Sequence, residues 1–417
     1  MPSPNALACV RCGARYSLSN FATDCAACRR AGAPANLTVV YDQAPGAGLT
    51  RDSVPKIPAS MWRWQAFLPN AVDEAVTLGE GNTPLLPAPR LGLGDVWIKD
   101  ETRNPTWSFK DRLASTALTA ARSAGAKLIV SSSSGNAGAS AAAYAAKAGL
   151  PCVVFIFRGA ATPLLAQIRA YGAMVVMVEN KTDRWRLQAA GIEKLGWYPT
   201  TPFFGPAVGS NPFGIEGYKT IAFEIAESCA WQPPEWCVVP VCYGDGLYGI
   251  EKGFAELKAL GFIDREPRLA ASEVSGSLGA ALASGAAMPP DRTRNDESIA
   301  TSIAATQGTV QALEALRRSR GTAVTIENDA LDAWLVKLAE IEGIWAEPAA
   351  VAPFAAIERL RRGGTIASGA RVVALVTASG LKDPVRIDTS RPPVPVVSGG
   401  FEELLQALEA TYGFARG

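Results

Sequence analysis

The sequence predicts an α/β protein built from two parallel-sheet domains, and three observations carry that expectation. From about Asp95, short apolar runs (KLIVSS, PCVVFIF, MVVMVE) alternate with Ala-rich segments (LASTALTAARSAG, NAGASAAAYAAKAG, TPLLAQIRAYG). Each Ala-rich segment stops at a glycine, the residue that most readily adopts the left-handed conformation closing a helix. A second alternating set begins at WCVVPVC, continues through YGIEKGFAELKALG and RLAASEV, and ends at RVVALVTAS. Strand–helix alternation of this kind produces parallel sheets covered by helices. At 417 residues the chain also exceeds the usual size of one core.

Taken in order, the chain opens with a distinct module, Ala6 to Tyr41, holding two CxxC pairs, Cys9 with Cys12 and Cys25 with Cys28. Each pair can grip one metal in a tight turn, and two pairs close a tetrahedral thiolate site. Gly13 eases the first turn. Two disulfides are disfavoured in a reducing compartment, and a single redox CxxC leaves the second pair unexplained. A zinc-ribbon-like module over residues 1–45 follows, its structural zinc supplying most of the folding energy of so short a segment. The Pro/Gly-rich stretch from Asp42 to about Pro58 reads as a linker. Beyond it, residues 46–108 and 206–417 are expected to form the large domain and residues 109–205 the small one. The closing FEELLQALEATYGF is expected as an amphipathic helix with Phe401, Leu404, Leu405 and Leu408 on one face.

Composition excludes several function classes. Hydrophobic residues make up 48% and charged residues 19%, and the net charge is +1, so neither a nucleic-acid nor a membrane surface is indicated. No apolar run reaches the length of a membrane-spanning helix, and MPSPNALACVRC does not read as a secretory signal. A cytoplasmic protein is therefore expected. There is no histidine, so acid–base chemistry falls to Lys, Asp, Glu, Tyr, Cys or a cofactor. Cys152, Cys237 and Cys242 lie in or beside apolar runs and are expected to be reduced core residues.

Four segments carry chemistry. In WIKDETRNPTWSFKDR a short strand leads through a polar turn to Lys110 at a helix start, where the positive helix end favours the neutral amine that imine formation needs. In LIVSSSSGNAGASAAA a strand, Leu128 to Ser131, enters a Ser/Gly loop that offers backbone N–H groups to an anion and the side chain of Asn136 for an oriented hydrogen bond. In VVPVCYGDGLYGIEKGF, Gly244-Asp245-Gly246 join a strand to a helix as a phosphate cradle would. VVALVTASGLKDP ends a strand in Thr377-Ala378-Ser379-Gly380.

In this order and spacing these segments resemble the threonine synthase family of fold-type-II pyridoxal-phosphate (PLP) enzymes, related to the tryptophan synthase β chain. GEGNTPLL, NPFGIEGYKTIAFEI, SIATSI, EPAA and TASGLKDP extend the match from about Gly79 to Pro384. The resemblance implies PLP in the cleft between the two α/β domains. Lys110 matches the lysine that holds the cofactor as a Schiff base, and Asn136 the amide that bonds the ring 3′-oxygen. Gly244, Asp245 and Gly246 match the loop holding the cofactor phosphate, and Thr377 the hydroxyl facing the pyridine nitrogen. Ser133 and Ser134 match the loop that binds the substrate carboxylate. A lyase of amino-acid metabolism is implied, taking O-phosphohomoserine to threonine and phosphate. The resemblance leaves room for a homodimer.

The sequence departs from the family at four places. Trp107 stands where a small residue is usual, Asp245 where glycine is usual, and Ser379 where histidine is usual. Gly214 replaces an arginine associated with the substrate phosphate. Arg103, Arg112, Arg158 or Lys219 could supply the missing cation. A β-elimination or β-replacement enzyme on an unphosphorylated amino acid, such as a serine or threonine ammonia-lyase or a cysteate-synthase-like enzyme, is the alternative. A non-catalytic PLP-binding regulatory protein is the third reading.

Overall fold

The computed structural model describes residues 2–19, 24–157, 162–294, 296–389 and 391–415, which divide after Lys382 into two compact units. The first unit opens with β1 (Pro4–Cys9), β2 (Arg15–Tyr16), α1 (Ala26–Arg30) and β3 (Leu37–Tyr41). The three strands form an antiparallel sheet in the order β2-β1-β3. Leu7, Leu37 and Val39 are buried and join the same apolar core as the helices that follow. The Asp42–Pro58 stretch, expected as a linker, also lies against the body. Val54 is buried, Gly46 N–H donates to the Ala66 carbonyl at 2.7 Å, and Arg51 Nε donates to the Phe262 carbonyl at 3.0 Å.

The chain continues through β4 (Leu85–Pro87), β5 (Val96–Asp100) and α2 (Lys110–Ser123). Strict alternation follows: β6 (Ile129–Ser131), α3 (Asn136–Ala148), β7 (Cys152–Phe157), α4 (Thr162–Ala170), β8 (Met174–Val178), α5 (Asp183–Leu195) and β9 (Tyr198–Pro199). These strands make a wholly parallel sheet in the order β8-β7-β6-β9. Alanines at 139, 141, 142, 143 and 145 are all buried in α3, their small side chains letting it pack closely, and Gly149 closes the helix at φ 70°.

The helices α6 (Pro212–Gly217) and α7 (Lys219–Ser228) lead to β10 (Trp236–Pro240). Then come α8 (Asp245–Ala259), β11 (Arg268–Glu273), α9 (Ser277–Ser284), α10 (Val310–Arg318), β12 (Thr322–Thr325), α11 (Asn328–Glu342), α12 (Pro348–Arg362) and β13 (Val372–Val376). The second sheet has the order β12-β11-β10-β13-β5-β4, parallel except where β4 pairs antiparallel to β5. Every residue of β10 and β13 is buried, as expected of parallel strands covered on both faces. The mixed α/β fold with parallel sheets is the one the sequence predicts. Loops at the carboxyl ends of β5, β6, β10 and β13 carry the expected site residues, the usual position for ligands in open parallel sheets.

The second unit contains α13 (Pro384–Thr389) and α14 (Phe401–Tyr412). The latter is the expected C-terminal helix, and its Phe401 and Leu404 are exposed. No helix among the described residues is long and apolar enough to cross a membrane.

Candidate functional site

The four N-terminal cysteines converge, their sulfurs lying within 4.8 Å of one another. Cys9 Sγ is 3.7 Å from Cys28 Sγ, and Cys12 Sγ is 3.6 Å from Cys25 Sγ. The backbone N–H groups of Arg11 and Cys12 donate to Cys9 Sγ at 3.4 Å each, and that of Cys28 donates to Cys25 Sγ at 3.5 Å. Such donors favour thiolates, and a zinc–sulfur bond of about 2.3 Å in a tetrahedron sets sulfurs about 3.8 Å apart.

Lys110 is the first residue of α2. The segment before it is held in place by the loop after β13: Phe109 N–H donates to the Thr377 carbonyl at 2.8 Å, and Ser379 N–H to the Trp107 carbonyl at 3.0 Å. On the other side of that loop, Glu347 N–H donates to the Ala378 carbonyl at 3.1 Å. Thr377 is buried in the middle of this arrangement. Lys110 Nζ lies 4.7 Å from the Phe109 ring centre and 5.6 Å from that of Tyr218, and makes no hydrogen bond or ion pair among the described residues. Trp107 takes φ 64°, a left-handed conformation that explains why a small residue is easier there.

Asn136 opens α3. Its Nδ2 donates to Glu347 Oε2 at 2.9 Å, while its buried Oδ1 has no hydrogen-bond partner. Ser302 Oγ donates to the other oxygen of Glu347 at 2.8 Å. Ser133 and Ser134 are half-buried in the loop just before, and Gly135 N–H donates to Ser133 Oγ at 3.3 Å. The sequence reading missed Glu347 and Lys382, although both sit inside quoted motifs, EPAA and GLKD. Lys382 is buried, and its Nζ donates to Gln167 Oε1 at 2.7 Å. Burial lowers Lys382 to about 8 despite the nearby carboxylates of Asp111 and Glu347. Burial raises Asp111 to about 6, against the hydrogen bonds that Ser140 and Thr106 donate to it.

The Gly244–Gly246 loop turns at Gly244, φ 81°, into α8, whose first turn has no side-chain cap. A Cβ on Gly244 would lie 2.3 Å from Ala312 Cβ, and one on Gly246 would lie 2.8 Å from the Phe109 ring, so both positions need glycine. Asp245 does not face an incoming anion with a bare charge. Its carboxylate accepts hydrogen bonds from Ser210 N–H at 2.9 Å, Ser210 Oγ at 2.7 Å and Gln311 Nε2 at 2.6 Å. Gln311 Oε1 in turn accepts from Asn36 Nδ2 at 2.8 Å, which links the N-terminal module to this loop.

The cations expected to replace the family arginine are mostly engaged elsewhere. Arg112 is fully buried between Glu101 and Glu224 with ion pairs of 2.7 Å to each. Burial alone would lower its pKa, but the two carboxylates hold it raised. Lys219 is buried and paired with Glu216 at 2.7 Å and Glu256 at 3.0 Å. Arg103 is exposed and pairs with Asp100 at 2.9 Å, and Arg158 lies outside the described residues. At Gly214 itself a Cβ would lie 2.8 Å from Leu113 Cγ, so the position is a packing contact between α6 and α2.

Residues 76–378 match the model of a family described as pyridoxal-phosphate dependent enzyme. Threonine synthase of Methanosarcina acetivorans is 33% identical over 96% of this chain and 98% of its own length. That of Methanocaldococcus jannaschii is 32% identical over 93% and 96%. Among solved structures, maize serine racemase superposes with a TM-score of 0.62 at 19% identity, covering 74% of this chain and 91% of that one. An L-serine ammonia-lyase from the fungus Rhizomucor miehei does so at 0.62 and 20%, covering 74% and 96%. The chain is thus a threonine synthase-like member of the pyridoxal-phosphate-dependent enzyme family.

Proposed function

We propose that this chain eliminates phosphate from O-phosphohomoserine and adds water at Cβ to give threonine. The observation that carries the reading is the set of contacts around Phe109, next to Lys110: its N–H donates to Thr377, Gly246 packs against its ring, and Asn136 bonds Glu347 beside the Thr377 loop, in a chain like threonine synthases over nearly its whole length.

The residues present fit PLP. Lys110 Nζ is unengaged, Asn136 Nδ2 has a second hydrogen beyond the one given to Glu347, and the first turn of α8 offers uncapped N–H groups to a phosphate. In this reading Gly244, Asp245 and Gly246 hold the cofactor phosphate through backbone N–H groups. Asn136, oriented by Glu347, meets the ring 3′-oxygen, and Ser133 and Ser134 hold the substrate carboxylate. Bound PLP supplies an electron sink for charge developing at Cα. Thr377 would offer the pyridine nitrogen a hydroxyl rather than a carboxylate, which would leave that sink restrained. Lys110 Nζ would hold the cofactor, and its free amine would move protons between Cα and Cβ of the substrate. The four cysteine thiolates hold a structural zinc, closed to substrate because all four positions are protein ligands.

The competing reading, β-elimination on an unphosphorylated hydroxy amino acid, draws on Gly214, where no cation can be projected without moving Leu113. Incubating the PLP-loaded protein with O-phospho-L-homoserine and measuring phosphate, threonine and 2-oxo-acid separates the two. Stoichiometric phosphate and threonine are expected. Absence of both, with 2-oxo-acid formed from serine or threonine, would overturn the proposal.

A further inference from the structure

A substrate phosphate brings about two negative charges next to a cofactor phosphate, so at least one available cation must meet it. The described cations already considered are spoken for or exposed. Arg184 is neither. It occupies the first turn of α5, after the carboxyl end of β8, and is 8% exposed. Its carbonyl accepts a hydrogen bond from Ser132 Oγ at 3.2 Å, which pins this turn to the serine loop expected to hold the substrate carboxylate.

The Arg184 guanidinium lies 5.4 Å from the ring centres of Phe157 and Trp185. Its buried Nε has no hydrogen-bond partner, and no carboxylate among the described residues pairs with it. Tyr243 and Cys242, in the segment that leads from β10 into Gly244–Gly246, are the groups whose charge opposes the effect of burial on Arg184. Burial raises the Cys242 thiol against the charges of Lys110 and Lys181, and Lys181 Nζ shares the Phe157 ring with Arg184 at 5.2 Å. Asp245, the carboxylate within that loop, is already held by Ser210 and Gln311.

A buried guanidinium without a counter-ion is unfavourable unless an anion joins it, and burial accordingly lowers the pKa of Arg184. Its planar fork matches two oxygens of a phosphate. We propose that Arg184, assisted by Lys181, binds the phosphate group of the substrate and so performs the task lost with the arginine at position 214. This assignment rests on O-phosphohomoserine being the substrate. The cofactor phosphate, the other anion in reach, has its own donors at the start of α8.

The test compares wild type with Arg184→Met and Arg184→Lys, each loaded with PLP and checked by circular dichroism. Inorganic phosphate is titrated calorimetrically, KM and kcat are measured with O-phospho-L-homoserine, and PLP affinity is measured by absorbance. Arg184→Met is expected to weaken phosphate binding and raise KM by about 30-fold or more, with PLP affinity within about threefold of wild type. Arg184→Lys should recover part of the loss, and it decides the matter alone if the methionine variant does not fold. Unchanged phosphate binding in a folded Arg184→Met overturns the assignment. So does a loss of PLP affinity with phosphate binding intact, which would give the arginine to the cofactor. A wild type that makes no threonine refutes the proposed reaction instead, and the phosphate titration then still decides whether Arg184 is an anion site.

Discussion

Lys110 differs from the buried lysines that pair with carboxylates. Lys99, Lys219 and Lys252 are each tied to carboxylates, whereas Lys110 Nζ touches only the faces of Phe109 and Tyr218. Removing it breaks no hydrogen bond, so Lys110→Ala should fold with little change in melting temperature. It should nevertheless lose the visible absorption of the bound cofactor and at least about a thousandfold in turnover. A variant that keeps the band would show that another group holds PLP. Glu251 gives a different residue-scale prediction. It is buried in α8, its Oε2 lacks a hydrogen bond, and Arg318 stands 3.7 Å away. Burial raises its pKa from 4.5 to about 7. Below about pH 4.5 the group is neutral in both states. Between there and about 7 the unfolded chain ionises while the fold keeps its proton, so stability falls as pH rises. Glu251→Gln escapes that loss. Its stability relative to wild type should grow from pH 4.5 to 7 by about 2–3 kcal/mol and then level off, as read by denaturant unfolding at each pH.

At the scale of elements, the packing of α6 on α2 decides what position 214 can do. A Cβ there would meet Leu113 Cγ at 2.8 Å and the Leu113 carbonyl at 3.1 Å, and Gly217 on the same helix lies still closer to Arg112. The sequence comparison alone suggests that Gly214→Arg would restore a phosphate contact. The structure predicts instead a loss of about 1–3 kcal/mol in stability and no improvement in KM for O-phosphohomoserine. A stable Gly214→Arg with lowered KM would show that α6 can shift. The contrast marks what was legible in the sequence. Lys110, Asn136, Gly244 and Thr377 stood out as candidates because each lies on the way from a strand into a helix or turn, where local pattern and backbone geometry coincide. The alternation of strands and Ala-rich helices was legible for the same reason. Glu347 as the partner of Asn136 was not, nor was the tie between Ser132 and the Arg184 carbonyl, since each joins residues far apart in sequence. Nor was the tight contact at Gly214, which depends on the distance between two helices and has no signature in either one.

At the scale of the molecule, the cysteine module is tied to the Gly244–Gly246 loop rather than hung from a linker. Between the four cysteines and the body runs a continuous set of hydrogen bonds. Cys25 N–H donates to the Ala35 carbonyl at 2.9 Å, and Val10 N–H donates to the Asn36 carbonyl at 3.0 Å. The fully buried Asn36 then reaches Gln311, also fully buried, which holds Asp245 at the head of α8. A second tie runs from β3, where Tyr41 donates to Glu216 at 2.6 Å and Lys252 bridges Glu216 and the Val39 carbonyl at 2.5 and 3.1 Å. A module this small loses most of its folding energy with its metal. Stripping zinc from the PLP-loaded protein should therefore unfold the first forty or so residues and free Gln311 from Asn36. With Asp245 less firmly held, the N–H groups after Gly244 lose their alignment, and PLP affinity should fall about tenfold, the effect of about one charge-assisted hydrogen bond. Dialysis against a chelator, followed by circular dichroism and absorbance titration with PLP, reads both changes. Gln311→Leu with zinc in place provides the control. It should weaken PLP to a similar degree while leaving the module folded and its metal content at one per chain. If the module unfolds and PLP binds as tightly as before, Asp245 is held by Ser210 alone and the coupling through Asn36 and Gln311 is refuted.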